Sequence, residues 1–222
     1  MGARSGRQST GGDLANYAEY VSERRASSTL TPAEGSTLVR LAVATVAAHL
    51  LDQSPDGRPP EPLALRALGA SFVTLENRGR LRGCVGTLDA ARPLYLDVLR
   101  NARRAMKDPR LPEVTEADWA WLDVKVSVLT SPEPVPVDSR DELLERLRPG
   151  VDGLLLAAGG QRATFLPAVW QKLADPDRFL AALLVKGGWP AGGWPAGLTV
   201  ARYTSTEFVD RSPRDRMTAC IR

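Results

Sequence analysis

SFVTLENRGRLRGCVGTL, from Ser71 to Leu88, decides the fold class. Its first seven residues are rich in β-branched and aromatic side chains, Arg78-Gly79 supplies a turn, and RLRGCVGTL follows as a second extended run. The stretch predicts a β-hairpin. In a regular second strand the side chains alternate between faces. Arg82, Cys84 and Gly86 are then expected on one face, with Leu81, Gly83, Val85 and Thr87 on the other. That arrangement sets a guanidinium beside a thiol. Gly83 and Gly86 carry no side chain, so a bound molecule could approach the backbone closely there.

Upstream of the hairpin, DQSPDGRPPEP (Asp52 to Pro62) reads as a loop from its prolines and glycine. Before it, Thr31-Pro32-Ala33-Glu34 is a capping box with proline at the first helical position, opening a helix towards Leu51. A shorter amphipathic helix is expected over Asp13 to Ala26, behind a polar leader. Downstream, Asp89 is expected to cap a helix through Lys107, stopped by Asp108-Pro109-Arg110. Thr115 opens a short helix, and WLDVKVSVLT then alternates, with Val124, Val126 and Val128 towards a core and Asp123, Lys125 and Ser127 on a polar face.

SPEPVPV is an extended linker, and Ser139-Arg140-Asp141-Glu142 caps a helix ending near Gly150. VDGLLLAAGGQRATFL reads as a second hairpin turning at Gly159-Gly160, and PAVWQKL as one or two helical turns. Asp175-Pro176 begins a helix that stops at Gly187. The tandem GGWPA GGWPA is a loop with two tryptophans, and LTVARYTSTEFV is a single final strand. Hairpins with intervening helices, rather than repeated βαβ units, predict an α+β fold with an antiparallel or mixed sheet flanked by helices.

Composition narrows the function classes. The 222 residues are 43% hydrophobic and 25% charged, as in a soluble globular protein. No apolar run reaches the ~18 residues of a membrane span, and the leader lacks a signal-peptide core, so a cytoplasmic protein is expected. Net charge is only +3, with acids mixed among the arginines, which argues against nucleic-acid binding. Two cysteines, Cys84 and Cys220, and one histidine fall short of an ordinary four-ligand zinc site. Neither metal ligands nor cofactor-binding residues are assigned, and the oligomeric state is left open.

LRGCVGTL, DPRLP, KVSVLTSPEPV, GVDGLLL, RATFLPAVW and FLAALLVKGG, in this order, resemble the AMMECR domain family, whose prokaryotic members are called AmmeMemoRadiSam system protein A. The resemblance runs from Thr31 to Val209. It divides the chain into an N-terminal extension (1–30), an AMMECR-like domain (31–209) and a flexible basic tail (210–222). It implies a major and a smaller lobe, with the cysteine strand beside the cleft between them. It also implies partners: a Memo-like protein, related to extradiol dioxygenases, and a radical S-adenosylmethionine protein. It supplies no reaction.

Three readings of Cys84 stand at this point: nucleophile, metal ligand or small apolar filler. As a nucleophile it would be assisted by Arg82, since a neighbouring cation favours the thiolate. His49, alone in an Ala-rich helix, is a poor partner for a Cys–His dyad. Cleft-lining candidates are Arg80, Gly83, Gly86, Asp108, Arg110 and Lys125, with Glu133 and Asp152 behind them. Arg80 and Arg82 suit a carboxylate or phosphate, which a guanidinium binds bidentately. Two functions compete: a cysteine-dependent enzyme or enzyme component, and a non-catalytic adaptor for the Memo-like or radical protein. Nucleic-acid binding is the weaker third.

Overall fold

A computed structural model describes residues 30–52 and 59–214. The capping box forms as expected: the Thr31 N–H donates to Glu34 at 2.8 Å, and the Glu34 N–H donates back to Thr31 Oγ1 at 3.3 Å. Helix α1 runs Pro32–Leu50 from this cap. A single helical turn, α2 (Leu63–Arg66), leads into the hairpin β1 (Leu68–Asn77) and β2 (Arg80–Gly86). Arg78 and Gly79 both have positive φ, 50° and 75°, as a two-residue type I′ turn requires. The Arg78 guanidinium lies 4.4 Å from the centroid of the Trp121 ring, which gives an arginine at this strained position a compensating contact.

Asp89 does not cap the next helix. Residues 88–91 turn instead, and Arg92–Pro93 (β3) pairs with Leu68 and Gly69 before helix α3 (Leu94–Met106) begins. A 3-10 turn (Glu116–Trp121) precedes β4 (Leu122–Leu129), and both the N–H and hydroxyl of Thr115 donate to Asp118 at its start. Strands β1, β2, β4 and a late strand β9 (Ser205–Asp210) form the first sheet in the order β2-β1-β4-β9, antiparallel throughout. Val124, Val126 and Val128 face a core shared with α1 and α3, as their alternation implied.

The rest of the chain builds a second lobe. Strands β5 (Glu133–Pro134), β6 (Gly153–Ala158), β7 (Gln161–Phe165) and β8 (Thr199–Tyr203) form an antiparallel sheet in the order β5-β8-β6-β7. Helices α4 (Arg140–Arg146) and α5 (Pro176–Lys186) pack on it around a separate core, where Trp170 and Phe179 stack at 3.8 Å. Trp189 and Trp194 of the tandem repeat pack against this core. The expected single final strand breaks at Thr204, because β8 belongs to the second sheet and β9 to the first. The second lobe is thus inserted between β4 and β9. Its two crossings are joined where the Thr130 N–H donates to the Thr204 carbonyl at 3.0 Å and the Thr204 N–H to Thr130 Oγ1 at 2.9 Å.

Within the basic tail, expected to be flexible from residue 210, Ser212 and Arg214 hydrogen-bond to the first lobe. Ser212 donates to Asp123 through its N–H (2.6 Å) and hydroxyl (2.8 Å), and Arg214 donates to the carbonyls of Leu122 and Asp210. The expected helix over Asp13 to Ala26, and Cys220, lie outside the described residues.

Candidate functional site

Cys84 pairs with Thr74 across the hairpin, and the Thr74 hydroxyl donates to its sulfur at 3.3 Å. By the same register Phe72, Thr74, Gly86 and Lys125 share the face that carries Cys84. This face is opposite the one packed on α1 and α3. Between it and the second lobe lies a small apolar floor of Ala70, Leu129 and Tyr203, with Phe72 and Leu155 against it. His49 sits exposed in the last turn of α1, on the far side of the sheet from the thiol, and cannot serve as its base.

The peptide of Cys84 is held at both polar groups. Its N–H donates to Asp108 Oδ2 at 3.1 Å, and its carbonyl accepts from the Arg110 guanidinium at 2.9 Å. Arg110 also grips Asp108 at 2.6 and 2.9 Å, while the Arg110 N–H closes a tight turn onto the same carboxylate. The Asp108-Pro109-Arg110 turn thereby covers the outer edge of β2 where a further strand would otherwise add. The Arg110 hydrogen bond is the main reason that the Asp108 carboxyl is held well below the usual carboxylate range.

Arg82 is not beside the thiol. The register slips at Leu75/Glu76, so that Gly83 pairs with Leu75 and Leu81 with Glu76, leaving Arg82 as the extra residue of a β-bulge. Its guanidinium turns to the 3-10 segment, donating to the Glu113 carbonyl at 3.1 Å and to Asp118 at 2.9 Å. The guanidinium that does reach Cys84 is that of Arg110, and it binds the backbone carbonyl.

The glycines also play another part. A Cβ on Gly83 would lie 1.9 Å from the Ala105 carbonyl oxygen, and one on Gly86 would lie 2.2 Å from the Phe72 ring. Both absences of side chain admit the protein's own atoms rather than a ligand. Lys125 lies on the sheet face that carries Cys84, where it forms an ion pair with Glu76 at 2.9 Å. Arg80 is exposed at the start of β2. Asp152 is fully buried in an ion pair with Arg148, and Glu133 lines a polar hollow of about 490 Å³ with Arg202 and Thr204 at the crossing.

Sequence reasoning missed the second lobe's contribution. Lys186, at the end of α5, donates to the Thr164 carbonyl at 2.8 Å and lies 5.0 Å from the Phe165 ring centroid. Burial lowers its pKa, the positive charge of Arg110 lowers it further, and a charge on Cys84 acts the other way. The Tyr203 hydroxyl is 2.6 Å from Thr164 Oγ1 and donates to the Phe165 carbonyl; burial raises its pKa, and Cys84 adds to the rise. Arg110 of the first lobe and Lys186 of the second thus each feel a charge on Cys84. No local pattern marked Lys186, which reads in the sequence as a cation in the last turn of a helix.

Three carboxylates around β2 and β4 are depressed: Asp108, Asp118 and Asp123. At Asp118 and Asp123 burial alone would raise the pKa, but hydrogen bonds from Thr115, Arg82 and Asn77, and from Ser212, outweigh it. A carboxylate depressed in the folded state gives its full stabilisation above the unfolded value of about 3.9, and loses it as pH falls towards the folded value. The urea midpoint is therefore expected to drop steeply below about pH 4. Asp108→Asn should flatten that slope; an unchanged slope would show that Asp108 is not held as described.

A family profile described as AMMECR1 matches residues 39–208. A protein of Methanothermobacter thermautotrophicus is 40% identical over 162 residues, covering 71% of this chain and 83% of that protein. One from Methanocaldococcus jannaschii is 33% identical over 191 residues, covering 83% and 94%. The crystal structure of an uncharacterized protein from Pyrococcus horikoshii superposes with a TM-score of 0.75 at 31% identity, covering 81% of this chain and 93% of that one.

Proposed function

The chain belongs to the AMMECR1 family, and from that premise we propose that its working site is the interlobe cleft at Cys84, where a small anionic molecule is held beside the thiol. The observation that carries this reading is an anchored cation from each lobe within electrostatic reach of Cys84. Arg110 is fixed by Asp108 and the Cys84 carbonyl, and Lys186 by Thr164. Lys186 feels the charge of Arg110, and both feel that of Cys84. An anion between them would relieve their repulsion and use the donors each has left.

On this reading the protein is a cytoplasmic enzyme or enzyme component of an AmmeMemoRadiSam-like system, working with a Memo-like protein and a radical S-adenosylmethionine protein. Among the described residues no helix is long and apolar enough to cross a membrane.

The site is tested by alkylating Cys84 with iodoacetamide and mapping the modified peptides, which separates it from Cys220. Inorganic phosphate or malonate is expected to slow modification of Cys84 by about tenfold at roughly ten times its dissociation constant. Lys186→Ala and Arg110→Ala should each abolish that protection. Equal rates with and without the anions would overturn the anion site. In a reconstituted three-protein system, Cys84→Ser is expected to stop substrate consumption while leaving complex formation intact. Full activity of that variant would instead make the protein an adaptor.

A further inference from the structure

α3 has two unlike faces. Its inner face buries Leu94, Val98, Ala102 and Met106 against the first sheet and α1. Its outer face presents Leu96, Arg100, Arg103, Arg104 and, at its end, Lys107, all exposed. The spacing from Arg100 to Lys107 is i, i+3, i+4, i+7, which lines the cations along about 10 Å of one helix side. The helix's one acid, Asp97, is fully buried beneath it.

Among the described residues Arg100, Arg103 and Arg104 form no hydrogen bond or ion pair through their side chains, and Lys107 makes only a 3.2 Å pair with Glu113, both ends more than half exposed. Helix-dipole compensation accounts for cations in the last turn. It does not account for Arg100, nor for a leucine 41% exposed one turn before it. The short helix α2, which packs against α3, adds Leu63, 78% exposed.

We propose that this face of α3 docks an acidic amphipathic helix of a protein partner. Carboxylates repeating at i, i+3, i+4 and i+7 on such a helix meet the four cations in register, and an apolar residue at its end covers Leu96. The leucines favour a protein over a nucleic acid, for which stacking aromatics between the cations would be expected. The surface is separate from the Cys84 cleft, so its fate and that of the anion site can be read independently.

The test uses fluorescence anisotropy at low ionic strength. The probe is a labelled helical peptide with glutamates at that spacing and a leucine one turn away. The full chain is expected to bind it, with affinity falling as salt is raised. Arg100→Glu with Arg103→Glu should weaken binding by about tenfold or more, and Leu96→Ala should weaken it with the melting temperature unchanged. Cys84 alkylation and its protection by phosphate should stay as in the parent protein. No binding, equal binding of a peptide with the same residues scrambled, or tighter binding of a 20-nucleotide RNA that the same reversals abolish would overturn the proposal.

Discussion

Gly83→Ala is expected to destabilise the protein by about 3 kcal/mol, the upper range for overpacking a filled interior. The added Cβ would stand 1.9 Å from the Ala105 carbonyl oxygen and 2.8 Å from its carbon. Both atoms are helix backbone, so no side chain can rotate away. Either α3 loses its seat on the sheet or β2 lifts from α3, and Cys84 moves with β2. A urea titration should show a lower midpoint with an unchanged slope, since the surface exposed on unfolding stays the same. Gly86→Ala is the control. Its Cβ meets the Phe72 ring, a side chain that can swing, so its cost should be smaller. Equal, small effects at both positions would remove the close helix–strand contact from the account.

Asp97→Ala is expected to cost about 3–5 kcal/mol, the range for removing one partner of a buried, hydrogen-bonded charge. Asp97 is fully buried, and its Oδ2 accepts from the Ser71 N–H (3.0 Å), Ser71 Oγ (2.8 Å), Thr87 Oγ1 (2.6 Å) and Asn101 Nδ2 (2.9 Å). Arg92 completes the network at 2.7 Å on the other oxygen. The carboxylate thus ties α3 to β1, to the end of β2 and to β3. Alanine would strand these donors away from water. Asp97→Asn, which keeps an acceptor but loses the charge, should fall between alanine and the parent. Thermal unfolding of the three proteins checks the order; an alanine variant as stable as the parent would mean that water satisfies the network.

Elements whose signals are local are legible in the sequence. The Thr31 box, the Arg78-Gly79 turn and the valine alternation of β4 each depend on residues within a few positions, and each forms as read. Asp89 failed as a cap because a two-residue strand pairing with Leu68 and Gly69 intervenes, and such pairing has no local signature. Arg82 was misplaced for a related reason. Alternation assumes an unbroken register, whereas one bulged residue sends its side chain to Asp118. Gly83 and Gly86 read as room for a bound molecule, but a missing Cβ does not say which atom fills the space, and here the protein's own atoms do.

Taken alone, the sequence determined that the chain is α+β, that its sheet has a polar face, and that Cys84 lies on a strand with Asp108 and Arg110 as nearby candidates. Those inferences rest on periodicity, capping and turn chemistry, which act over short separations along the chain. Only the tertiary structure decided that Arg110 holds the Cys84 carbonyl while Arg82 turns to Asp118, that Lys186 and Tyr203 of the inserted lobe feel a charge on Cys84, and that the glycines serve packing. Which distant side chain reaches a given atom depends on register, insertion point and helix seating, and these emerge when the two lobes pack.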